Sequence, residues 1–443
     1  MKAEPAILTG WGRVRRSASV MLRPGSTAEA LEAFTGPASP HGLIPHGAAR
    51  SYGDCALNDE GQALATARLD RIIAFNPVTA MLEAEPGVTF GQALRATLPR
   101  GFMLPVTPGT SFATLGGAVA NDVHGKNHER ASGFCHHVTE LDLLTPDGTL
   151  HTIGPQRDAE LFHATCGGLG LTGLVTRVAV RLAAVPGNAL RVRVQRVADL
   201  DAFLAALDAA RHATYVVGWI DGTASGAALG RGILETAEPA AENLGDKPRR
   251  LLRVPVDLPG LALNPLSIRL FNAAYFHRAP AAGRERLVQL DRFFYPLDAV
   301  RDWNRLYGRR GFHQFQAVLP FEAGPAALRA LQERIVASRR ASFLAVLKRL
   351  GAQAPGYLSF PQPGYTLALD FPAGPGIEDL YAELVAITLR FGGRVYLAKD
   401  ALLTAPAFRD MYPRWRSFRD VLERVDPQRR MQSDMSRRLE LRL

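Results

Sequence analysis

The stretch Pro108–His128, PGTSFATLGGAVANDVHGKNH, constrains the fold more than any other part of the chain. A Pro-Gly turn leads to a Gly-Gly pair flanked by small residues, and a polar run with two histidines and a lysine follows. Glycines with small neighbours let a backbone lie against a flat or phosphorylated ligand. The same pattern also suits a helix N-terminus packed on a sheet through its glycines, with a polar loop after it.

At 443 residues there is room for two or three domains. No run approaches about 18 apolar residues, so no transmembrane helix is expected. The first residues, MKAEPAILTGWGRVRRSASV, lack the apolar core and cleavage site of a secretory leader. Cys55, Cys135 and Cys166 are odd in number and not in CxxC spacing. Neither a disulfide framework nor a metal site is expected, and a reducing compartment fits.

Lys and Arg exceed Asp and Glu by 52 to 42. Lys247–Arg286 carries eight basic residues against Asp257 and Glu285, among many Leu, Pro and Phe. Such a segment suits an anionic membrane surface or lipid headgroup, and equally a solvated loop. The expectation is a cytoplasmic chain with peripheral contact at the inner membrane face, the periplasmic face staying open. Nucleic acid is not expected, because no basic stripe is interleaved with stacking aromatics.

Ser26, with Glu29 three residues on, caps a helix through TAEALEAF, and Thr89 caps another through FGQALRATLP. Leu43–Pro45 ends a strand before the small-residue loop His46–Ser51, whose N–H groups suit a phosphate. HVTELDLLTPDGTLHTIG reads as a hairpin. The turn Gly167–Gly173 precedes a strand, so it is not a dinucleotide fingerprint. Beyond Pro186-Gly187 a separate α+β unit begins. Its VPVDLPGLALNPL stretch, 254–266, has three prolines and no periodicity and reads as a mobile loop. RVYLAKD reads as a returning strand. On the strand HQFQAVLP, Gln314 and Gln316 share one face.

Eight motifs then occur in order: GWGR (10–13), ARSYGD (49–54), PGT…GGA…HGKNH (108–128), GLTG (170–173), FYPLD (294–298), WNRLYG (303–308), YLAKD (396–400) and SDMSRRLEL (433–441). Together, over essentially the whole chain, they resemble the FAD-linked oxidases of the vanillyl-alcohol-oxidase type. The resemblance implies an α+β fold. A two-part FAD-binding domain of the PCMH type, 8–185 and 391–443, would be interrupted by an antiparallel-sheet substrate domain, 186–390. It implies FAD held by His46, Gly47, Ala48, Ala49, Arg50, Ser51, Pro108, Gly109, Thr110, Thr114, Gly117, Asn121, Gly170, Val175 and Tyr396.

Within this group the motifs are similar to those of members that oxidise the 2'-hydroxyl of a polyprenyl-phosphate β-D-ribofuranose. That reaction is half of an epimerisation to the arabinose form, which a short-chain NAD(P)H-dependent reductase completes. The resemblance implies Lys399 and His124 as catalytic residues. It implies Tyr52, Lys126, Tyr295, Gln314, Gln316, Lys348 and Thr366 as the substrate pocket, with Lys126 reaching the phosphate. Lys399 could take the hydroxyl proton if its pKa is lowered. Two other readings stand beside this one: oxidation of a soluble alditol or aldonolactone, and a flavin-binding scaffold without turnover that works through a reductase.

The chain departs from the family pattern in places. Ala49 replaces the second glycine of the phosphate loop, so a negative φ or a small loop shift is expected there. Ala368 stands where some members carry a cysteine. Related oxidases attach flavin covalently through a histidine in this loop, where Arg50-Ser51-Tyr52 stands here. Non-covalent FAD is therefore expected. Acid precipitation should leave the yellow colour in the supernatant; flavin retained on a tryptic peptide would contradict this.

Overall fold

The structure is a computed structural model that describes residues 3–37, 39–245, 251–260, 263–340 and 343–442. Lys247, Arg249 and Arg250 of the basic segment lie outside the described residues.

Three sheets carry the fold. The first has four strands, in the order Ala3–Thr9, Arg16–Leu22, Gln62–Ala65, Leu43–His46. The second has five, Ile72–Asn76, Met81–Ala84, Leu174–Arg181, Val138–Leu144, Leu150–Ile153. The helices Phe90–Thr97, with its Thr89–Gln92 capping box, and Leu115–Ala120, capped by Thr114, share a core with the second sheet. Ser26 also caps its helix as expected, its side chain accepting from the Glu29 amide.

The third sheet has eight strands and is antiparallel throughout. Its order is Arg284–Gln289, Ala189–Val197, Gly232–Ala240, Tyr215–Ile220, Ala345–Leu350, Gly364–Pro372, Phe312–Pro320, Arg394–Val395. Period-2 alternation gives it two unlike faces. On one face Phe315, Ala317, Leu319, Leu347, Leu367 and Leu369 are fully buried. They join one core with Leu328, Leu331 and Leu384 of the helices Gly324–Ser338 and Ile377–Arg390. The opposite face carries Gln314, Gln316, Thr366, Ala368, Val346 and Lys348. The register places Gln316 against Ala368 and Lys348 against Thr366. This second face has polar groups because it looks onto the site.

Three expectations are corrected. RVYLAKD is a strand only at Arg394–Val395; Leu397–Lys399 is a 3₁₀ turn. A strand would send Tyr396 and Lys399 to opposite faces, whereas in a 3₁₀ turn residues three apart eclipse. Residues 254–260 follow a defined path: the Val254 amide donates to Arg301 O and the Leu258 amide to Arg305 O. The prolines also concealed the helix Pro265–Arg278, which has Pro265 in its first turn and an Asn264 cap. Ala49 adopts φ +54°, not a negative value. The loop therefore keeps the left-handed turn that glycine would make easily, at a cost of about 1–2 kcal/mol.

The chain's two ends are bound at one point. Arg438 donates to Asp54 through Nε (2.9 Å) and Nη2 (2.7 Å), and to Asp400 Oδ2 (2.9 Å). Asp400 Oδ1 accepts from Tyr381 and from the Leu402 and Leu403 amides. Asp54 and Asp400 are buried. Removing the guanidinium strands two carboxylates out of water. Arg438→Met should therefore destabilise the protein by about 3–5 kcal/mol, read in chemical denaturation. Arg438→Lys should recover only part of this, because an ammonium cannot make the side-on pair.

Candidate active site

A cavity of about 760 Å³ takes its walls from all three sheets. Every site residue named from the sequence lines it except Tyr295. The Tyr295 hydroxyl instead pairs with Thr107 Oγ1 at 2.6 Å, where it fastens the segment 294–308, which covers one side of the cavity, rather than meeting a ligand.

The first wall is mostly backbone and small side chains. Its residues are His46–Ser51, Pro108–Thr110, Thr114, Gly117, Asn121, Gly170 and Val175. Glycine at 47 is a packing requirement, since a Cβ there would stand 2.9 Å from Thr114 Oγ1. His46 is locked by its Nδ1 contact with Ala56 O at 2.8 Å, and burial holds its pKa below the usual value. The Arg50 guanidinium lies 4.4 Å from the Trp11 ring centroid and 4.9 Å from that of Phe112. Arg50 Nε, Asn121 Oδ1 and His124 Nδ1 are buried without a partner among the described residues. Such groups are costly unless a ligand completes them. A long wall of small residues with stranded polar atoms fits an extended dinucleotide such as FAD. His46–Ser51, Thr110, Thr114, Asn121 and Tyr396 are the groups that could hold it.

The second wall is the polar face of the large sheet. Gln316 Nε2 lies 3.0 Å from His124 Nε2 and donates to Thr366 Oγ1 at 3.2 Å. Trp219 lines the cavity and donates its indole N–H to Phe343 O.

Three lysines face this space. Lys399 Nζ sits 3.7 Å from the Tyr52 ring centroid. Lys126 Nζ donates to Phe293 O and lies over the Phe293 ring. Burial lowers the Lys399 pKa to about 7; Asp370 opposes this and Lys348 adds to it. Burial lowers Lys348 to about 8, helped by Lys126, and lowers Lys126 to about 8 against Glu235. Burial, then Lys348, His128 and Lys399, keeps His124 neutral, well below its usual pKa. The arrangement can accept a proton at Lys399, hydrogen-bond hydroxyls through two amides, and attract an anion.

Sequence reasoning missed Asp370 and Asp298. Asp298 accepts from the Thr110 hydroxyl (2.7 Å) and from the Ser111 amide and hydroxyl (2.7 Å each), so it clips the covering segment to the first wall. Asp370 is two residues beyond Ala368 on one strand. Period-2 spacing could have placed it with Thr366 and Ala368.

Family comparison agrees with this geometry. Residues 18–154 match an FAD binding domain and 308–439 a D-arabinono-1,4-lactone oxidase domain. The chain is 34% identical to the decaprenylphosphoryl-beta-D-ribose oxidase of Mycolicibacterium smegmatis, over 98% of this chain and 97% of that one. It is 35% identical to an uncharacterised protein of Streptomyces coelicolor, over 80% of this chain and all of that one. A rice cytokinin dehydrogenase matches at 30%, over 42% of this chain and 37% of its own length. A whole-length match on a cavity built for a dinucleotide makes the chain an FAD-dependent oxidoreductase, and it belongs to the decaprenylphosphoryl-β-D-ribose oxidase family.

Proposed function

We propose that the protein oxidises the 2'-hydroxyl of a polyprenyl-phosphate β-D-ribofuranose to the 2'-keto sugar. This is the first half of an epimerisation, and a separate short-chain NAD(P)H-dependent reductase completes it. The observation that carries the reading is the set of three enclosed lysines opposite the small-residue wall. In this reading, residues 8–185 and 391–443 form the cofactor domain and 186–390 the substrate domain.

Bound FAD would supply a hydride acceptor. Lys399, whose pKa of about 7 leaves roughly half of it neutral near pH 7, takes the hydroxyl proton. Gln314, Gln316 and Thr366 hold sugar hydroxyls, and neutral His124 supports Gln316. Lys126 acts on Lys348 with like charge, and Glu235 alone opposes at Lys126, so the pair carries an excess of positive charge that supports a phosphate there. A soluble alditol or aldonolactone would bring no anion to that excess. Anaerobic mixing of holoenzyme with a polyprenyl-phosphoryl ribose should bleach the flavin band, and free ribose or aldonolactones should not. Lys399→Met should slow bleaching by about 10²-fold or more. Equal bleaching by free sugars would overturn the substrate.

The covering segments support contact with a membrane. No helix among the described residues is long and apolar enough to cross one. The helix Pro265–Arg278 turns Ile268, Asn272 and Tyr275 inward, where Asn272 donates to Asp221 and Tyr275 lines the cavity. Its Leu266 (66% exposed) and Leu270 (63%) point out beside Arg269, Phe271 (48%) is half packed on Tyr275 and Phe343, and Leu251, Leu252 and Val256 of the preceding segment are exposed as well. Exposed apolar residues beside an arginine suit an anionic bilayer surface. The protein should float with liposomes containing anionic lipid, and Leu266→Glu with Leu270→Glu should abolish flotation. Equal recovery in the soluble fraction with every liposome would sink the membrane contact.

A further inference from the structure

Asp370 acts on Lys399 without lining the cavity. It is fully buried on the strand Gly364–Pro372. Its Oδ1 accepts from Gln314 Nε2 at 2.6 Å, and Gln314 is its direct cross-strand partner. Its Oδ2 accepts from the Tyr307 hydroxyl at 3.2 Å.

Tyr307 is not part of this sheet. It ends the 3₁₀ turn Trp303–Tyr307, in the segment whose Val300, Arg301, Asp302 and Trp303 form part of the cavity wall. That segment is held from outside. Asn304 donates to Trp11 O at 3.1 Å, and Arg305 Nη1 to Pro255 O at 2.6 Å. The Tyr307 ring also stacks on Phe312, with centroids 4.2 Å apart. Phe312 meets Tyr52 edge-on at 5.4 Å, and Lys399 sits over the Tyr52 ring. Tyr307 therefore reaches Lys399 by two routes, one polar through Asp370 and one aromatic through Phe312 and Tyr52.

We propose that Asp370 is a positioning residue: it holds Lys399 by charge, and Tyr307 holds it in turn only while the 300–308 segment is seated over the cavity. The inference rests on Lys399 being the proton acceptor. It adds that the acceptor is set only when the cover is in place.

The surroundings determine the sign. Lys399 is faced by Asp370 and Lys348 from the sheet, by Cys55 and Tyr52 beside the phosphate loop, and by His124. Asp370 is faced by Lys399, Gln314, Tyr307 and Tyr52. Burial pushes the Asp370 pKa up to about 7, while Gln314, Lys399 and Tyr307 favour its ionised form. Deleting the Asp370 charge removes what keeps a proton on Lys399, so the lysine loses that proton at lower pH. Deleting the Tyr307 hydroxyl makes Asp370 a better proton acceptor and moves Lys399 the same way by less.

The test is peptide-resolved competitive acetylation of the holoenzyme with acetic anhydride across pH, which reads the titration midpoint of Lys399. Asp370→Asn should lower that midpoint by about one unit or more. Tyr307→Phe should lower it by a smaller, measurable amount. The acid limb of flavin reduction should move down with it. The labelling needs no sugar, so failure of the 2'-oxidation reading would show in the bleaching assay and leave the midpoints untouched. An unchanged midpoint in Asp370→Asn with a normal flavin spectrum would overturn the proposal. If Asp370→Asn fails to retain flavin, an unchanged midpoint in Tyr307→Phe overturns it instead. A shift in Asp370→Asn without one in Tyr307→Phe would overturn the link to the cover.

Discussion

Arg438 is the tie on which the site depends. Its guanidinium joins Asp54, just past the phosphate loop, to Asp400, which follows Lys399. Around that tie the two backbones are in contact. The Tyr52 amide donates to Ala398 O, and a Cβ on Gly53 would stand 1.6 Å from Asp400 O. GWGR closes the third side: the Trp11 amide donates to Ser51 O, and the Phe312 amide to Gly12 O. A buried ion triad gains little net stability over an apolar replacement of all three of its members, although losing the arginine alone is costly. What it contributes is geometry, because Lys399 cannot drift from Tyr52 while its neighbour is bound in four places.

The same frame accounts for the cavity's electrostatics. Burial lowers the pKa of all three enclosed lysines, and like charge lowers Lys399 and Lys348 further. Among the described residues, the fully buried Asp370 acts on Lys399 from the strand below, and Glu235 acts on Lys126. The cavity thus separates a lysine poised to exchange a proton from two suited to an anion. The covering segments complete the enclosure through Asp298, Tyr295 and Arg13, the last bound to Asp257 at 2.5 Å.

Much of this was legible in the chain. The caps at Ser26 and Thr89 are local chemistry, and a short polar side chain before an apolar run suffices to find them. Gln314 and Gln316 share a face because strands alternate. Less legible was anything decided by non-local contact. RVYLAKD has the composition of a strand but forms a 3₁₀ turn, because the Tyr52 amide takes Ala398 O. Helix Pro265–Arg278 was hidden by the prolines before it, although Pro at the first helical position is a start signal. Ala49 keeps φ +54° because its neighbours Ser51 and Tyr52 are anchored to Trp11, Gly12 and Ala398, which outweighs a local preference of about 1–2 kcal/mol. Tyr295 sits in a motif beside site residues, yet only packing shows that its hydroxyl turns to Thr107.

By itself, the sequence determined the class of molecule: the order of its motifs, the small-residue wall at His46–Ser51 and Pro108–Gly117, and the residue types that could do the chemistry. These follow from local steric and hydrogen-bonding preferences, which a linear string carries. The tertiary structure alone decided which of those residues work together. Lys399 and Tyr52 are brought together by a buried ion cluster, and Asp370 meets Tyr307 through a segment folded over from another part of the chain. Their pKa values depend on burial and on charges remote in sequence, and neither exists until the chain has closed on itself.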